Sequence, residues 1–303
     1  MSLLAQLKDY ARKQYPQNFQ GIHDAEQTNP RRFAELAERF LGWAVAALGE
    51  DAIPRTFDAF VKFTTSVNMA QFRYEREGRY ANKTYAEVYA DHYSQESEMD
   101  DYLWGIFLTN FLWAHHIDIT YQFEDRFLPK LKAGARLVEI APGHGGWGLF
   151  ALTRLPGATL SGYDISPSSI KIARSMAAAT GMAERAAYEE RDALDLSNLE
   201  AASADGVICS FVIEHLENPE RLLEVISHLL RKDGTAFLTG ALTAAQVDHI
   251  YEFKHESEFV LMAEKYGLRA IEMLSVNPPR QLPRARFVPR SISLLLRKAH
   301  VPG

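Results

Sequence analysis

Cysteine, long apolar runs and basic blocks are all scarce in this sequence, and each scarcity excludes a class of protein. The single cysteine, Cys209, cannot form an internal disulfide, and its place in an apolar run predicts a buried thiol in a reducing compartment. The longest strongly apolar stretch, Tyr102 to Ala114, is too short to cross a bilayer. The segment Met1–Asp9 reaches charged residues before it can form the apolar core of a secretory signal. We therefore expect a cytoplasmic protein with no membrane partner.

The charge balance argues against binding to nucleic acid. The chain has 33 Lys and Arg against 39 Asp and Glu, a formal net charge of -6, and no long basic block. A protein that binds phosphate backbones needs a positively charged surface. The 303 residues are 47% hydrophobic and 24% charged, which suits one large core with a smaller companion. We expect a globular protein whose partner is not nucleic acid.

Residues 131–303 have the pattern of a parallel sheet wrapped by helices. Short β-branched runs alternate with helical stretches, as in successive βαβ units. The strands predicted for this sheet are Ala135–Ala141, Thr159–Ile165, Ala186–Ala193, Gly206–Phe211 and Thr235–Ala241. Two later strands, Leu268–Val276 and Ser291–Lys298, lie too close in sequence for a parallel crossover and predict an antiparallel pair. The expected fold is α/β, with a mainly parallel sheet and a C-terminal antiparallel strand pair.

Residues 1–130 differ from the rest, because helical periodicity dominates and no strand pattern is convincing. In the clearest example, Pro30–Ala47, the apolar residues fall on one stripe. The helices predicted in this region are Leu3–Tyr15, Pro30–Ala47, Phe57–Phe72, Thr84–Tyr93 and Met99–Phe127. The sequence therefore predicts an all-helical N-terminal cap in front of the α/β region.

A glycine-rich loop joins the first predicted strand to a helix. Gly143 and Gly145 allow the backbone to turn sharply and to approach a ligand closely. Together with Gly148 they also satisfy the spacing of a dinucleotide-binding loop. The loop alone therefore leaves a nicotinamide-dependent oxidoreductase open.

Three acidic residues at strand ends sharpen this interpretation. Asp164 closes the second strand, where a carboxylate can accept hydrogen bonds from ribose hydroxyls, and Asp192 follows the third, where it can accept one from an adenine amino group. Glu139 lies just before the glycines and would repel a pyrophosphate but would tolerate a cationic sulfonium. Each acid also has a structural alternative: a loop-amide acceptor for Glu139, a helix cap for Asp164 and a turn residue for Asp192.

The run from Leu137 to about Leu216 resembles the class I S-adenosylmethionine-dependent methyltransferases, which have a Rossmann-like fold. This resemblance implies S-adenosylmethionine as the cofactor and assigns roles to the matching positions. The implied cofactor-binding residues are Glu139, Gly143 and Gly145 for the methionine part, Asp164 for the ribose, Ile165, Asp192 and Ala193 for the adenine, and Phe211 in the segment after strand four. The implied activity is methyl transfer to a small-molecule acceptor, with oxygen preferred and nitrogen or carbon also possible.

His215 is the candidate catalytic residue. It follows strand four at the edge where ligands lie in open α/β sheets, and a histidine can accept a proton at neutral pH. A hydroxyl acceptor loses its proton near the time of attack, so we expect His215 to act as the general base. A purely positional or structural role for His215 stays open at this point.

The acceptor pocket is expected between the cap and the residues after strand five. Tyr85, Tyr89 and Tyr93 are spaced four apart and share one helical face. His249 and His255 follow strand five and are also candidates for contact with the acceptor. We expect the cap to act as a lid over a small, partly apolar or aromatic molecule. Plain packing of the tyrosine face, or a homodimer through the cap, would explain the same pattern.

Two further alternatives concern metals and the reaction itself. A metal site could be assembled from residues of one segment, but its spacing matches no known signature, so we predict no metal. The residues of that segment are His249, Glu252, His255, Glu256 and Glu258. An S-adenosylmethionine-binding protein that transfers no methyl group would carry the same cofactor motifs.

Overall fold

The chain folds as one mixed sheet with helices packed against both of its faces. The computed structural model describes residues 1–89, 96–195, 199–281 and 283–299. The helices are α1 (Leu3–Gln14), α2 (Phe19–Thr28), α3 (Pro30–Leu48), α4 (Ala52–Glu77), α5 (Tyr85–Val88), α6 (Glu96–Leu112), α7 (Ala114–Gln122), α8 (Gly146–Arg154), α9 (Pro167–Ala179), α10 (Pro219–Leu229) and α11 (Glu256–Lys265). The strands are β1 (Arg136–Ile140), β2 (Thr159–Asp164), β3 (Ala186–Glu190), β4 (Ala204–Cys209), β5 (Leu230–Leu242), β6 (Leu268–Val276) and β7 (Arg290–Lys298).

The strand order within the described residues is β3-β2-β1-β4-β5-β7-β6. The pairs from β3 to β5 are parallel, and β7 runs antiparallel to both β5 and β6. This arrangement confirms the predicted mainly parallel sheet with a C-terminal antiparallel pair. The chain order reverses between β1 and β4, and in open α/β sheets a ligand binds at the carboxyl ends of strands beside such a reversal.

Local sequence signals explain why α3 forms where it does. The Asn29 side chain accepts a hydrogen bond from the backbone N–H of Arg32, and Pro30 stands at the first helical position. The helix ends at Gly49, whose φ of 72° is easily reached by glycine. The stripe predicted from the sequence is buried and consists of Phe33, Leu36, Phe40, Leu41 and Ala44.

The cap and the sheet share one hydrophobic core. Phe237 of β5 packs against Phe123 and Phe127, which lie in a single π-helical turn after α7, with ring centroids 5.0 and 5.7 Å away. Phe40 of α3 packs edge-to-face on Phe150 of α8, with centroids 6.4 Å apart. The cap therefore covers one face of the sheet instead of standing apart from it.

The helix predicted over Met99–Phe127 is interrupted. Helix α6 ends at Leu112, Trp113 adopts an extended conformation with φ -97° and ψ 113°, and α7 begins at Ala114. The apolar pattern runs through this break without a glycine or proline, so the sequence carries no signal for it. Among the described residues, none of the helices, α6 included, has both the length and the apolar character needed to cross a membrane.

Helix α2 has no counterpart among the predicted helices, and two other predicted helices differ from the structure. Helix α4 extends beyond the predicted Phe57–Phe72 at both ends. The helix predicted at Thr84–Tyr93 is described only as α5, which starts with a capping box formed by Thr84 and Glu87. Its predicted end, from residue 90 and including Tyr93, lies outside the described residues.

Candidate functional site

The glycine loop turns sharply between β1 and α8. Ala141, Gly143 and Gly145 all have positive φ, of 50°, 53° and 73°. An added Cβ at Gly148 would overlap the Oε2 atom of Glu139, and the Gly148 N–H donates to Glu139 Oε1 at 3.1 Å. The third glycine of the dinucleotide-like spacing therefore makes room for a carboxylate and for the close packing of α8.

Glu139 is a buried acid whose carboxylate is only partly hydrogen-bonded. It is 2% exposed, and its Oε2 has no hydrogen-bond partner among the described residues. Burial raises the pKa of Glu139 to about 8; the Gly148 amide opposes this rise and the nearby Asp164 adds to it. A cationic ligand in the adjacent cavity would favour the ionised carboxylate.

Asp164 ties the glycine loop to the start of α9. Its Oδ2 accepts from the Gly143 N–H at 3.1 Å and its Oδ1 from the Ser166 N–H at 2.9 Å. Burial raises the pKa of Asp164, while these amide donors act in the opposite direction. The N-cap of α9 is Ser166, whose hydroxyl accepts from the Ser169 N–H, so Asp164 is not the cap. Ile165 beside it is 48% exposed, an apolar side chain available to pack on a ligand.

Asp192 and Ala193 follow β3 at the same edge of the sheet. Asp192 is exposed, and its Oδ1 accepts from the Leu194 N–H at 2.8 Å, which is the turn role considered above. Ala193 is buried. Both residues line the same cavity as Asp164 and Glu139. The turn bond involves only one carboxylate oxygen of Asp192, so the other can serve a ligand.

Phe211 joins the segment after β4 to the cap. Its φ is 53°, an uncommon conformation for a phenylalanine, and its N–H donates to Thr239 Oγ1 at 2.9 Å. Its ring stacks on His116 of α7, with centroids 4.8 Å apart and planes 18° apart. Burial lowers the pKa of His116 far below its usual value, so this imidazole is neutral.

His215 lies in a short 3-10 turn, Ile213–His215, next to a segment that follows β5. Its Nδ1 lies 3.1 Å from the backbone oxygen of Asp248 and 3.5 Å from Asp248 Oδ2. The Glu214 carbonyl accepts hydrogen bonds from the N–H groups of Ile250 and Tyr251, both at 2.9 Å, which fixes the two segments together. His215 keeps part of its ring exposed to the cavity.

Glu214 and His249 complete a buried cluster around His215. One ligand atom from each of the three residues lies within 4.8 Å of the others, so this group could hold a metal ion. Neither carboxylate oxygen of Glu214 has a partner of ordinary geometry among the described residues, although the amides of Glu214 and Ala241 lie close enough to lower its pKa. Burial outweighs them and raises the pKa of Glu214 to about 7. His249 Nδ1 lies 2.7 Å from the Ala244 oxygen, and burial lowers its pKa to about 3.

The described cap tyrosines, Tyr85 and Tyr89, line the same cavity as Asp164 and Asp192. Tyr85 donates its backbone N–H to Glu217 Oε1 at 2.8 Å, and its ring lies 5.9 Å from that of Tyr89. Burial, followed by the charges of Tyr89, Asp164 and Asp192, raises the pKa of Tyr85. Tyr85 is thus near both acids, whereas Tyr93 lies outside the described residues.

One cavity of about 1440 Å³ brings most of the predicted residues together. The predicted residues that line it are Tyr85, Tyr89, Glu139, Gly143, Asp164, Ile165, Asp192, Ala193, Phe211, His215 and His249. Gly145 and His255 are not part of this lining: Gly145 is the N-cap residue of α8, and His255 is the exposed N-cap residue of α11. The segment from His249 to Glu258, from which a metal site could be assembled on paper, does not converge on one point. Glu252 accepts a hydrogen bond from Tyr74, whereas His249 lies beside Glu214 and His215.

Several cavity residues stand outside the set predicted from the sequence. His115 and His116 line the cavity from the start of α7 and Tyr102 lines it from α6. Glu214 also lines it, from the segment after strand four that the family resemblance places beside the cofactor. Burial lowers the pKa of His115 to about 3, and its Nδ1 has no hydrogen-bond partner among the described residues. The adjacent pair of histidines was the only sequence signal for this wall of the cavity.

Comparison with known proteins shows which family the sequence matches. Residues 138–236 match the family model described as a methyltransferase domain. The chain is 30% identical over 171 residues to a ubiquinone biosynthesis O-methyltransferase of Cupriavidus pinatubonensis, covering 50% of this chain and 67% of that protein. It is 31% identical over 107 residues to the protein of the same name from Xanthomonas axonopodis, covering 35% of this chain and 43% of the relative. The match thus spans less than half the length of that second relative.

A solved structure has a similar fold at low identity. It is phosphoethanolamine N-methyltransferase 2 of Haemonchus contortus, in complex with phosphomonomethylethanolamine and S-adenosylhomocysteine. The TM-score is 0.56 at 18% identity, covering 72% of this chain and 61% of that one. The likeness at this identity concerns the fold alone.

Proposed function

We propose that this chain, which belongs to the class I S-adenosylmethionine-dependent methyltransferases, transfers the cofactor's methyl group to an oxygen atom of a small-molecule acceptor. Family membership decides between the two cofactors left open by the glycine loop, in favour of S-adenosylmethionine. The oxygen acceptor is supported by the O-methyltransferase name of the relatives and by the histidine beside the cofactor site.

The observation that carries the proposal is the single cavity shared by the cofactor residues and His215. Its volume of about 1440 Å³ exceeds the roughly 300–1,000 Å³ of an ordinary ligand pocket, which leaves room for an acceptor beside the cofactor. Aromatic and neutral imidazole side chains of the cap form its inner wall, as expected for a partly apolar acceptor. Such a wall also keeps water from the reacting sulfonium.

The proposed reaction is an in-line displacement. The acceptor oxygen forms a bond to the methyl carbon while the bond from that carbon to sulfur breaks, and S-adenosylhomocysteine leaves as the neutral thioether. His215 takes the hydroxyl proton near the time of attack. The remaining site residues align the two reactants, which is the main contribution that a protein can make to such a displacement.

The cluster of Glu214, His215 and His249 supports a second role for the same histidine. A divalent cation bound by these three groups would lower the pKa of a coordinated acceptor hydroxyl, so that no general base would be needed. The unsatisfied carboxylate of Glu214 is the observation that favours this alternative.

The proposal is tested by incubating the protein and S-adenosylmethionine with catechol, phenol, aniline and an aliphatic alcohol. Mass spectrometry should detect S-adenosylhomocysteine together with a methyl ether. In single turnovers, His215→Ala should lower the rate of transfer by about 10²–10⁴-fold and leave cofactor affinity nearly unchanged. Methylation of aniline alone would move the acceptor atom to nitrogen. Cofactor binding with no transfer to any acceptor would favour the non-transferring alternative.

Chelation separates the two roles of His215. Dialysis against a chelator should leave the turnover unchanged if His215 acts as a free base. Loss of activity that Mg²⁺ or Mn²⁺ restores would instead show that the cluster binds a metal ion. Calorimetry with the same ions would then show whether Glu214→Gln weakens metal binding, as expected if Glu214 is one of the ligands.

A further inference from the structure

We infer that Asp248 is a positioning residue for His215, and that Tyr102 holds Asp248 in place from the cap. This inference rests on the proposed role of His215 as the acceptor of the hydroxyl proton. The three side chains come from three separate parts of the chain: α6, the turn after β4 and the segment after β5.

The contacts between Asp248 and His215 fix which ring nitrogen faces the acceptor. Asp248 is fully buried, and both its backbone oxygen and its Oδ2 lie close to His215 Nδ1, at 3.1 and 3.5 Å. An imidazole that donates its Nδ1–H to these oxygens keeps Nε2 unprotonated and able to accept a proton. The carboxylate then stabilises the imidazolium that forms during transfer.

Tyr102 connects this pair to the cap. Its hydroxyl is hydrogen-bonded to the Asp248 side chain, and burial, with the charge of Asp248, raises the pKa of Tyr102 well above its usual value. The phenol therefore stays protonated and donates to the carboxylate. The ring is held by Phe63 of α4 in an edge-to-face contact with centroids 5.6 Å apart. A shift of α6 would consequently reach His215 through Asp248.

Two other ionisable side chains lie beside His215. Among the described residues they are Glu214 from the same turn and His249 from the segment after β5, whose ring lies 4.9 Å from that of His215. Asp248 differs from both because it contacts Nδ1 of His215 directly. Removing its carboxylate should therefore change the orientation and the tautomer of the ring.

The test compares three variants that each remove one contact. With the acceptor that the wild-type protein methylates, Asp248→Asn should lower kcat by about 10–10³-fold and keep the cofactor Kd within twofold of wild type. Tyr102→Phe should lower kcat by about fivefold, the effect of one hydrogen bond. Tyr74→Phe is the matched control, because it removes a phenol–carboxylate bond between the cap and Glu252 that does not reach His215. It should leave kcat unchanged.

A double-mutant cycle separates positioning from general support of the fold. In the His215→Ala background, Asp248→Asn should have no further effect, because the group through which it acts is gone. An equal loss in both backgrounds would overturn the inference.

A measurement that needs no turnover keeps this inference distinct from the proposed function. The ¹⁵N chemical shifts of the His215 ring, assigned by their absence in His215→Ala, report by NMR which ring nitrogen carries the proton of the neutral imidazole. Wild type and Tyr74→Phe should show mainly the Nδ1–H form, and Asp248→Asn should show less of it, because a neutral amide replaces the carboxylate beside Nδ1. The same tautomer ratio in Asp248→Asn and wild type would overturn the inference even if the methyl transfer is confirmed. A changed ratio in a protein that methylates no hydroxyl would support the coupling and refute the proposed acceptor.

Discussion

Asp164 accepts hydrogen bonds from two backbone amides and also lines the cavity, so we expect it to hold the loop and to bind the cofactor. We expect Asp164→Ala to weaken S-adenosylmethionine binding by about 1.5–3 kcal/mol through the loss of charge-assisted hydrogen bonds. Isothermal titration calorimetry measures this change. Asp164→Asn keeps one acceptor and should lose less. Unchanged affinity in a folded Asp164→Ala variant would remove the residue from the site.

Glu139 predicts a pH dependence that distinguishes the cofactor from its product. With its pKa raised to about 8, this carboxyl is protonated in the ligand-free protein at neutral pH and ionises as the pH rises. The ionised form attracts the sulfonium of S-adenosylmethionine, and S-adenosylhomocysteine carries no such charge. Affinity for the cofactor should therefore rise from pH 6.5 to pH 9 more than affinity for the product, and Glu139→Gln should abolish the difference. Parallel profiles for both ligands in the wild-type protein would contradict this account.

Strand-end residues could be identified from sequence because their positions depend on local patterns. Asp164 ends one short strand, Asp192 and His215 follow two others, and a parallel sheet brings such ends to one edge. Asp248 and Tyr102 could not be identified in this way. Their contact joins segments far apart in the chain, and neither segment has a periodic pattern that specifies its partner.

At the scale of elements, α5 is the part of the cap that suits a lid. It has only four residues, it stands beside Asp164 and Asp192 through Tyr85, and Tyr89 is 51% exposed. Short elements with few buried contacts open at low free energy, and closure over a ligand protects them. Hydrogen exchange at residues 85–89 should therefore slow when S-adenosylmethionine binds.

The same exchange measurement contains its own control. Helix α3 has six buried residues in the core and should exchange identically with and without the cofactor. If residues 85–89 also exchange identically in both states, α5 serves packing or an oligomer contact and is not a lid. The homodimer through the cap stays a prediction, which the mass in solution would check.

Element boundaries were predictable where capping residues mark them and unpredictable where packing alone decides. Asn29 with Pro30 gives the start of α3, and Ser166 with Pro167 gives the start of α9. The break between α6 and α7 has no such marker. Trp113 leaves the helical conformation in a region where both helices bury most of their surface, so the apolar pattern looks continuous.

At the scale of the whole molecule, the shared core predicts that the cap and the sheet unfold together. Phe237 is fully buried and contacts Phe123, Phe127 and Trp147, which lie on both sides of the boundary near residue 130. We expect Phe237→Ala to lower the free energy of unfolding by about 3–5 kcal/mol. Urea unfolding followed by tryptophan fluorescence and by far-UV circular dichroism should give one coincident transition in the wild-type protein. Two separate transitions would show that the cap is an independent unit.

The positions of the four tryptophans have a spectroscopic consequence. Trp113 and Trp147 both line the cavity, one just before α7 and one in α8 after the glycine loop. Indole emission responds to the polarity around the ring, and a bound ligand replaces water there. Occupancy of either half of the cavity can therefore be followed by intrinsic emission without a label, and Trp113→Phe and Trp147→Phe would separate the signal of the acceptor from that of the cofactor.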